Sequence, residues 1–479
     1  MGENLGNQVK KGVFWTFGER IGSKVVQFLL QLLLARILVP EDYGLCALLL
    51  AFVNIATVLV NSGLNTALVQ QKEPKHIDYS SVFYVSFALA TLLYGILYIS
   101  ANEIALFFKD GRITLLLRVI SITLLLGAFN SVQVAYLMKR MQFKKMFYGN
   151  FLGVLVSAFV SVYFALNGAG VWAIVIQYVA NRIVVTLTLL FLVRWFPRFE
   201  FSIERIRILW NFGWKYMLSS FLSTIVTDIY TAVVGKCFTK QQLGAYDTGN
   251  KIPSTVSETF TTSLSTVLFP AFTTIQDDKK QLKQYVRKAN RVSSFIMVPL
   301  MLAIAAMAEQ IVTIVLTEKW IVAVPFLQMA CILYALYPIH SANLQAINAI
   351  GRSDIALKLE LQKKLVDLTF LALMIQFGIY WVAMGRVLTS FVALWINMRP
   401  NKAFLDYPFW EQVKDIAVTV FVSIIVAIIV YLFDLYTNLN VYITLVIQVI
   451  LCLVSYCVMS YLFNKELLLF TLKTLIKRN

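Results

Sequence analysis

Arg20, Lys24, Gln27 and Gln31 follow one another at i, i+4, i+7 and i+11, which puts two cations and two amides on one face of a helix. The stretch that holds them, Val13 to Leu38, is otherwise apolar. At 1.5 Å of rise per residue, Arg20 lies about 10 Å and Lys24 about 16 Å inside it. Snorkelling can bring the Arg20 head to water but hardly that of Lys24. This face is therefore expected to line a water-filled cavity and to meet an anion there. Asn54, Asn61 and Asn65 share a face of the second apolar stretch, and Ser254, Thr261 and Ser265 repeat that face at an offset of 200, with Glu258 on the same stripe. Lys215 is shallower than Lys24, and either snorkelling or a cavity satisfies it. Lys363 and Asp367, with Lys364 beside them, form an i, i+4 set that reads equally as a neutralised structural pair or as a cavity cation tuned by its partner. Arg118, Arg182 and Arg386 each stand alone within an apolar stretch, while Arg36 and Lys236 sit at ends and read as interface anchors. Asp228, Glu258 and Asp367 are the acids that could take up H⁺ or Na⁺ as a coupling ion, or else pair with a neighbouring cation. His76 is expected in solvent, and His340, just after Pro338, is expected to be a satisfied structural group.

The elements that must hold these groups are membrane helices. Of the 479 residues, 59% are hydrophobic and 14% charged, and the mean hydropathy of +0.74 lies far outside the soluble range. Reading for about 20 apolar residues per crossing predicts fourteen spans: 13–38, 45–69, 80–100, 113–138, 147–166, 171–193, 212–234, 252–272, 292–308, 322–350, 357–376, 380–398, 416–433 and 441–462. Strands of a membrane barrel are shorter and alternate strictly, which these do not. The fold class is accordingly an all-α integral membrane protein. Lys and Arg crowd into alternate loops, as in Lys139 to Lys145, Arg194 to Arg207, Lys279 to Arg291 and Lys465 to Arg478. The intervening loops hold Lys109, Arg112, Lys236, Lys240, Lys251 and Lys319, so both termini are expected in the cytoplasm.

That topology absorbs most of the formal charge of +17 and leaves no case for a nucleic-acid partner. The five cysteines show no CxxC and no neighbouring His, so neither a disulfide framework nor a metal is expected. A P-loop, a Gly-rich nucleotide fingerprint and a Ser/His/Asp grouping are likewise missing, and no loop is long enough for a catalytic domain. The expectation is a transporter without cofactor, driven by an ion gradient, the membrane potential or the substrate's own gradient.

The chain also repeats itself. Phe17-Gly18 recurs as Phe212-Gly213, Tyr43-Gly44-Leu45 aligns with Leu243-Gly244-Ala245-Tyr246, and Gly170-Val171-Trp172-Ala173 returns as Ile379-Tyr380-Trp381-Val382 at an offset of 209. Two six-span lobes in parallel orientation, with a substrate site between them, are the reading such a repeat supports. It assigns residues 1–195 to an N-terminal lobe, 196–211 to a basic linker broken by Pro197, and 212–399 to a C-terminal lobe. Two extra helices in 411–463 and a basic tail, 464–479, complete the chain. The Phe-Gly match pairs Arg20 with Lys215.

Phe14-Trp15-Thr16-Phe17-Gly18 followed by Ala35-Arg36-Ile37-Leu38-Val39-Pro40-Glu41-Asp42-Tyr43-Gly44 resembles the start of the bacterial polysaccharide and lipid-linked oligosaccharide flippases. Asn61-Ser62-Gly63-Leu64, Gly168-Ala169-Gly170-Val171-Trp172-Ala173, Lys251-Ile252-Pro253 and Asn348-Ala349-Ile350-Gly351-Arg352 are similar to that family's later landmarks, over the whole chain. The branch it most resembles exports colanic acid, teichuronic acid and lipopolysaccharide. The resemblance implies the multidrug/oligosaccharidyl-lipid/polysaccharide exporter fold in the bacterial inner membrane. It also implies an undecaprenyl-pyrophosphate-linked oligosaccharide, turned from the cytoplasmic to the outer leaflet among membrane lipids by alternating access. Arg20, Lys24, Lys215 and Lys363 suit a pyrophosphate, and Gln27, Gln31, Asn54, Asn61, Asn65, Ser254, Thr261 and Ser265 suit a glycan. A multidrug exporter of the same superfamily is the alternative, whose cavity should favour acids and aromatics.

Overall fold

The computed structural model describes residues 26–476 apart from 28, 32, 62, 72, 73, 141 and 438. All regular structure among them is helical. Among the described residues ten helical runs are long and apolar enough to cross a membrane: Pro40–Val69, His76–Phe107, Arg112–Lys139, Lys144–Leu166, Val171–Val193, Lys279–Ala306, Glu318–Ala349, Ile379–Leu405, Phe409–Tyr436 and Val441–Phe463. Ile203–Cys237, Lys240–Thr273 and Ser353–Met374 coincide with three further predicted spans. Most of the first predicted span lies outside the described residues.

The helices gather into two compact units, Met1–Gly244 and Ala245–Asn479. The first contains α1 (Pro40–Asn61), α2 (Leu64–Gln70), α3 (His76–Phe107), α4 (Arg112–Ile120), α5 (Ile122–Lys139), α6 (Phe143–Leu166), α7 (Val171–Val193) and α8 (Ile203–Cys237). Gly168 and Gly170, at φ of 75° and 54°, make the reversal that lays α7 back along α6. Leu64, Leu68, Val82, Leu137, Val185 and Leu189 form one continuous core across α2, α3, α5 and α7.

The basic stretch read as a linker is tied down. Trp195 packs among His76, Tyr79, Phe83 and Tyr136, with ring centroids 5.8 to 6.5 Å apart. The Arg198 amide donates to the Ser80 hydroxyl at 3.2 Å and the Ser202 amide to that of Ser81 at 3.0 Å. Arg205 pairs with the buried Asp78 at 3.5 Å. Ser202 then caps α8 by accepting the Arg205 amide at 3.4 Å, so α8 begins at Ile203, inside residues 196–211. His76 is drawn into this cluster, hydrogen-bonded to Ser80 at 3.2 Å, and is not the solvated side chain that its loop position suggested.

The next helix, α9 (Lys240–Thr273), starts in the first unit and continues into the second. Its first turn touches the start of α1 backbone to backbone. A Cβ on Gly44 would lie 1.8 Å from the Lys240 carbonyl oxygen, and one on Gly244 1.8 Å from that of Pro40. The repeat therefore brings two of its own equivalent glycines together, and nothing larger fits at either.

The second unit continues with α10 (Lys279–Ala306), α11 (Ala308–Val315), a 3₁₀ turn (Glu318–Ala323), α12 (Val324–Ala335), α13 (Tyr337–Ala349), α14 (Ser353–Met374), α15 (Ile379–Met398), α16 (Asn401–Leu405), α17 (Phe409–Tyr436), α18 (Val441–Phe463) and α19 (Lys465–Ile476). One end of α17 is clamped to α10. Lys283 reaches Glu411 at 2.8 Å, Arg287 reaches Asp415 at 2.7 Å, and the Tyr407 hydroxyl donates to Asp415 at 2.7 Å. By contrast α18 leaves Tyr442, Val446, Ile450, Leu453 and Val454 exposed, the surface of a helix that faces lipid.

Candidate functional site

The asparagine face of α1 turns into a cavity of about 90 Å³ inside the first unit. Asn54, Thr57 and Asn61 line it from α1, Thr123, Leu124 and Gly127 from α5, and Tyr178 and Arg182 from α7. The Thr57 and Thr123 hydroxyls donate to the Val53 and Ile120 carbonyls at 2.7 and 2.6 Å, so both offer the cavity only acceptor lone pairs. Asn61 Oδ1 is buried without a hydrogen-bond partner. Asn54 spends its side chain on the Asp228 carboxylate of α8. Among the described residues no carboxylate lies within 4 Å of Arg182, whose charged neighbourhood contains only the Tyr178 phenol.

The second unit places an arginine in a comparable position and treats it differently. Arg386 of α15 lines a pocket of about 10 Å³ with Tyr246 and Asn250 of α9 and with Phe326 and Leu333 of α12. Its Nη1 donates to the Tyr246 hydroxyl at 3.1 Å, and Tyr334 and Tyr337 stand close by. Phe326 of that lining stacks on Tyr380 with centroids 5.1 Å apart.

Arg20 and Lys24 fall outside the described residues, and the side chain of Lys215 does too. Gln27 is exposed; Gln31 is half-buried, and its carbonyl accepts the Tyr43 hydroxyl at 3.1 Å. Asn65 is buried and donates to the Asn61 carbonyl at 3.3 Å. On the equivalent face, Ser254 donates to the Lys251 carbonyl at 3.0 Å, the Thr261 hydroxyl is buried without a partner, and Ser265 meets Ser341 at 2.7 Å. Glu258 is exposed. Asp228 is buried, and its hydrogen-bond partner is an amide rather than a cation.

The Lys363 pairing differs from expectation. Its ammonium meets Glu360, one turn earlier, at 2.5 Å, and no ion pair joins it to Asp367. Glu360 at i−3 and Asp367 at i+4 lie on the same face of α14, and periodicity alone does not choose between them. His340 is a satisfied structural group, 3.1 Å from the Asn397 amide. Arg118 donates to the Tyr98 carbonyl at 3.3 Å and sits 4.3 Å over that ring, which ties α4 to α3.

An ionic cluster stands at the Gly44 end of the first unit. Asp110 accepts from Arg112 and from Lys240, both at 2.9 Å, and Arg112 also holds Glu41 at 2.5 Å. Burial alone would push the Asp110 carboxyl up, but the hydrogen bonds from Arg112 and Lys240 outweigh it and hold the group down to about 2.

Residues 33–325 match the family described as polysaccharide biosynthesis protein. The chain belongs to that family. The succinoglycan biosynthesis transport protein ExoT of Rhizobium meliloti is 25% identical over 347 residues, which cover 72% of this chain and 70% of ExoT. Among solved structures, the lipid II flippase MurJ in an inward closed conformation superposes with a TM-score of 0.77, at 15% identity, over 95% of this chain and 99% of MurJ. An inward-facing multidrug resistance MATE transporter gives 0.61 at 14% identity, over 82% of this chain and 95% of that one. At such identities the likeness is one of fold. Family, apolar helices and fold together make this a multi-pass membrane protein of the MurJ and MATE architecture.

Proposed function

We propose that this chain is a flippase that moves an undecaprenyl-pyrophosphate-linked oligosaccharide from the cytoplasmic to the outer leaflet of a bacterial inner membrane, for surface polysaccharide synthesis. The observation that carries the proposal is the fold likeness to a lipid II flippase over almost the whole of both chains, in a polysaccharide biosynthesis family. In this reading fourteen spans form two six-span lobes with two extra helices, both termini are cytoplasmic, and the lobes work by alternating access. Arg20, Lys24 and Lys215 take the diphosphate, and Lys363 joins them by exchanging Glu360 for phosphate. The amide and hydroxyl faces of α1 and α9 take the sugars, and Asp228, Glu258 or Asp367 takes H⁺ or Na⁺. The better superposition on MurJ favours this reading over multidrug export. Replacing Arg20 and Lys24 together by Gln, with membrane insertion confirmed by immunoblot, is expected to abolish surface polysaccharide. Full export by that variant would remove the site from the proposal.

A further inference from the structure

We propose that the Arg182 cavity of the first unit binds an oxyanion, a carboxylate or phosphate group. Arg182 stands half-way along a membrane-spanning helix, exposed and with no carboxylate in ion-pair reach among the described residues, so water or an anion has to satisfy its guanidinium. The planar fork of Arg matches the two oxygens of a carboxylate or phosphate, which favours an oxyanion over a halide. Room is adequate. At roughly 10 to 15 Å³ per water centre, about 90 Å³ takes six or more waters, or one such group with a few of them. Asn61 supplies the second contact, since its amide has an unused acceptor and can present either end, the N–H to an anion oxygen or Oδ1 to a ligand hydroxyl. Asp228 of α8 is held by Asn54 through one oxygen, its other oxygen is buried without a partner, and it makes no ion pair with Arg182.

The second unit serves as the internal control. There Arg386 has a phenol at 3.1 Å and a pocket of about 10 Å³, which leaves no room for a ligand. Both units carry an arginine on the last helix of the repeat, and the one in the first unit is left open. The site needs no assumption about the cargo. Its anion can be free phosphate or an acidic group borne by the transported glycan.

The test uses the full-length protein purified in detergent, with thermal unfolding followed against inorganic phosphate and against D-glucuronate, ionic strength being held constant with chloride. Wild type is expected to show a saturable rise in Tm with at least one of them. The half-saturating concentration should rise at least tenfold, or saturation vanish, in Arg182→Gln, and Arg182→Lys should retain a weaker response. Asn61→Asp, which places a carboxylate in the cavity, should also abolish the response and keeps the test available if Arg182→Gln fails to fold. A response to phosphate supports a free anion, and a response to glucuronate alone supports an acidic sugar of the cargo. No saturable response in wild type, or an unchanged one in Arg182→Gln or in Asn61→Asp, overturns the proposal. The flippase reading is judged separately, by surface polysaccharide in the Arg20/Lys24 variant.

Discussion

Arg182 and Arg386 sit on the last helix of their respective repeats, yet one faces an open cavity and the other a ring of phenols. At the offset of 209 that aligns Trp172 with Trp381, Arg386 falls on Gln177, so Arg182 lies five residues, about a turn and a half, further along. The two cations are therefore not one inherited feature copied twice. The Tyr246 that holds Arg386 corresponds at the offset of 200 to Cys46, which has no hydroxyl to offer. Each arginine lies among three helices of its own unit, and the residues around it decide whether it is held by protein groups or left open.

Four changes should break or sharpen that contrast. The largest effect is expected from Arg386→Ala, which strips the phenols of their cation and empties a packed site; about 3 kcal/mol of stability should be lost, read as a clear fall in Tm. Tyr246→Phe should cost about 2 kcal/mol by leaving the guanidinium one partner short, and a new anion response in this variant would show that the phenol is what keeps the second unit closed to ligand. Asp110→Asn addresses a charge cluster of the first unit whose members satisfy one another. The carboxyl is held down from 3.8 to about 2, so its stabilisation is complete above pH 4, falls through that window and is gone below about 2. Because the cluster is partly exposed, screening reduces it to about 1 kcal/mol, and the variant's Tm should converge on wild type at the acid end. Arg182→Gln should move Tm by less than about 0.5 kcal/mol equivalent in anion-free buffer. A loss as large as that of Arg386→Ala would mean that both arginines are structural.

Much of the fold was legible in local pattern, because a membrane helix is specified by its own twenty residues. Spans 171–193 and 441–462 match α7 and α18 to within a residue. The asparagine face of α1 was equally plain, since Asn54 and Asn61 lie two turns apart on one helix and do line one cavity. What completed the cavity was not legible, because Arg182 lies more than 120 residues from Asn61 and nothing local marks it as that face's neighbour. Sequence marks Arg182 as a lone cation within its span but does not say which face it meets. The Asp110 cluster is legible only in part for a related reason: Arg112 is two residues away, but Lys240 and Glu41 reach it only through tertiary packing. In 196–211, Pro197 and the charge argue for a linker, whereas Ser202 is a helix start signal, and the helix begins at Ile203.

The strap that binds Trp195, Arg198 and Ser202 to α3 also has a mechanical meaning. It clamps the root of α8, an unbroken rod of 35 residues, or about 52 Å. A rod held at its root amplifies small rotations: a tilt of about 10° there would sweep the far tip by about 9 Å over that length. Ser80 and Ser81, two small hydroxyls at the base, are thus placed like the bearing of a lever whose working end lies a membrane thickness away.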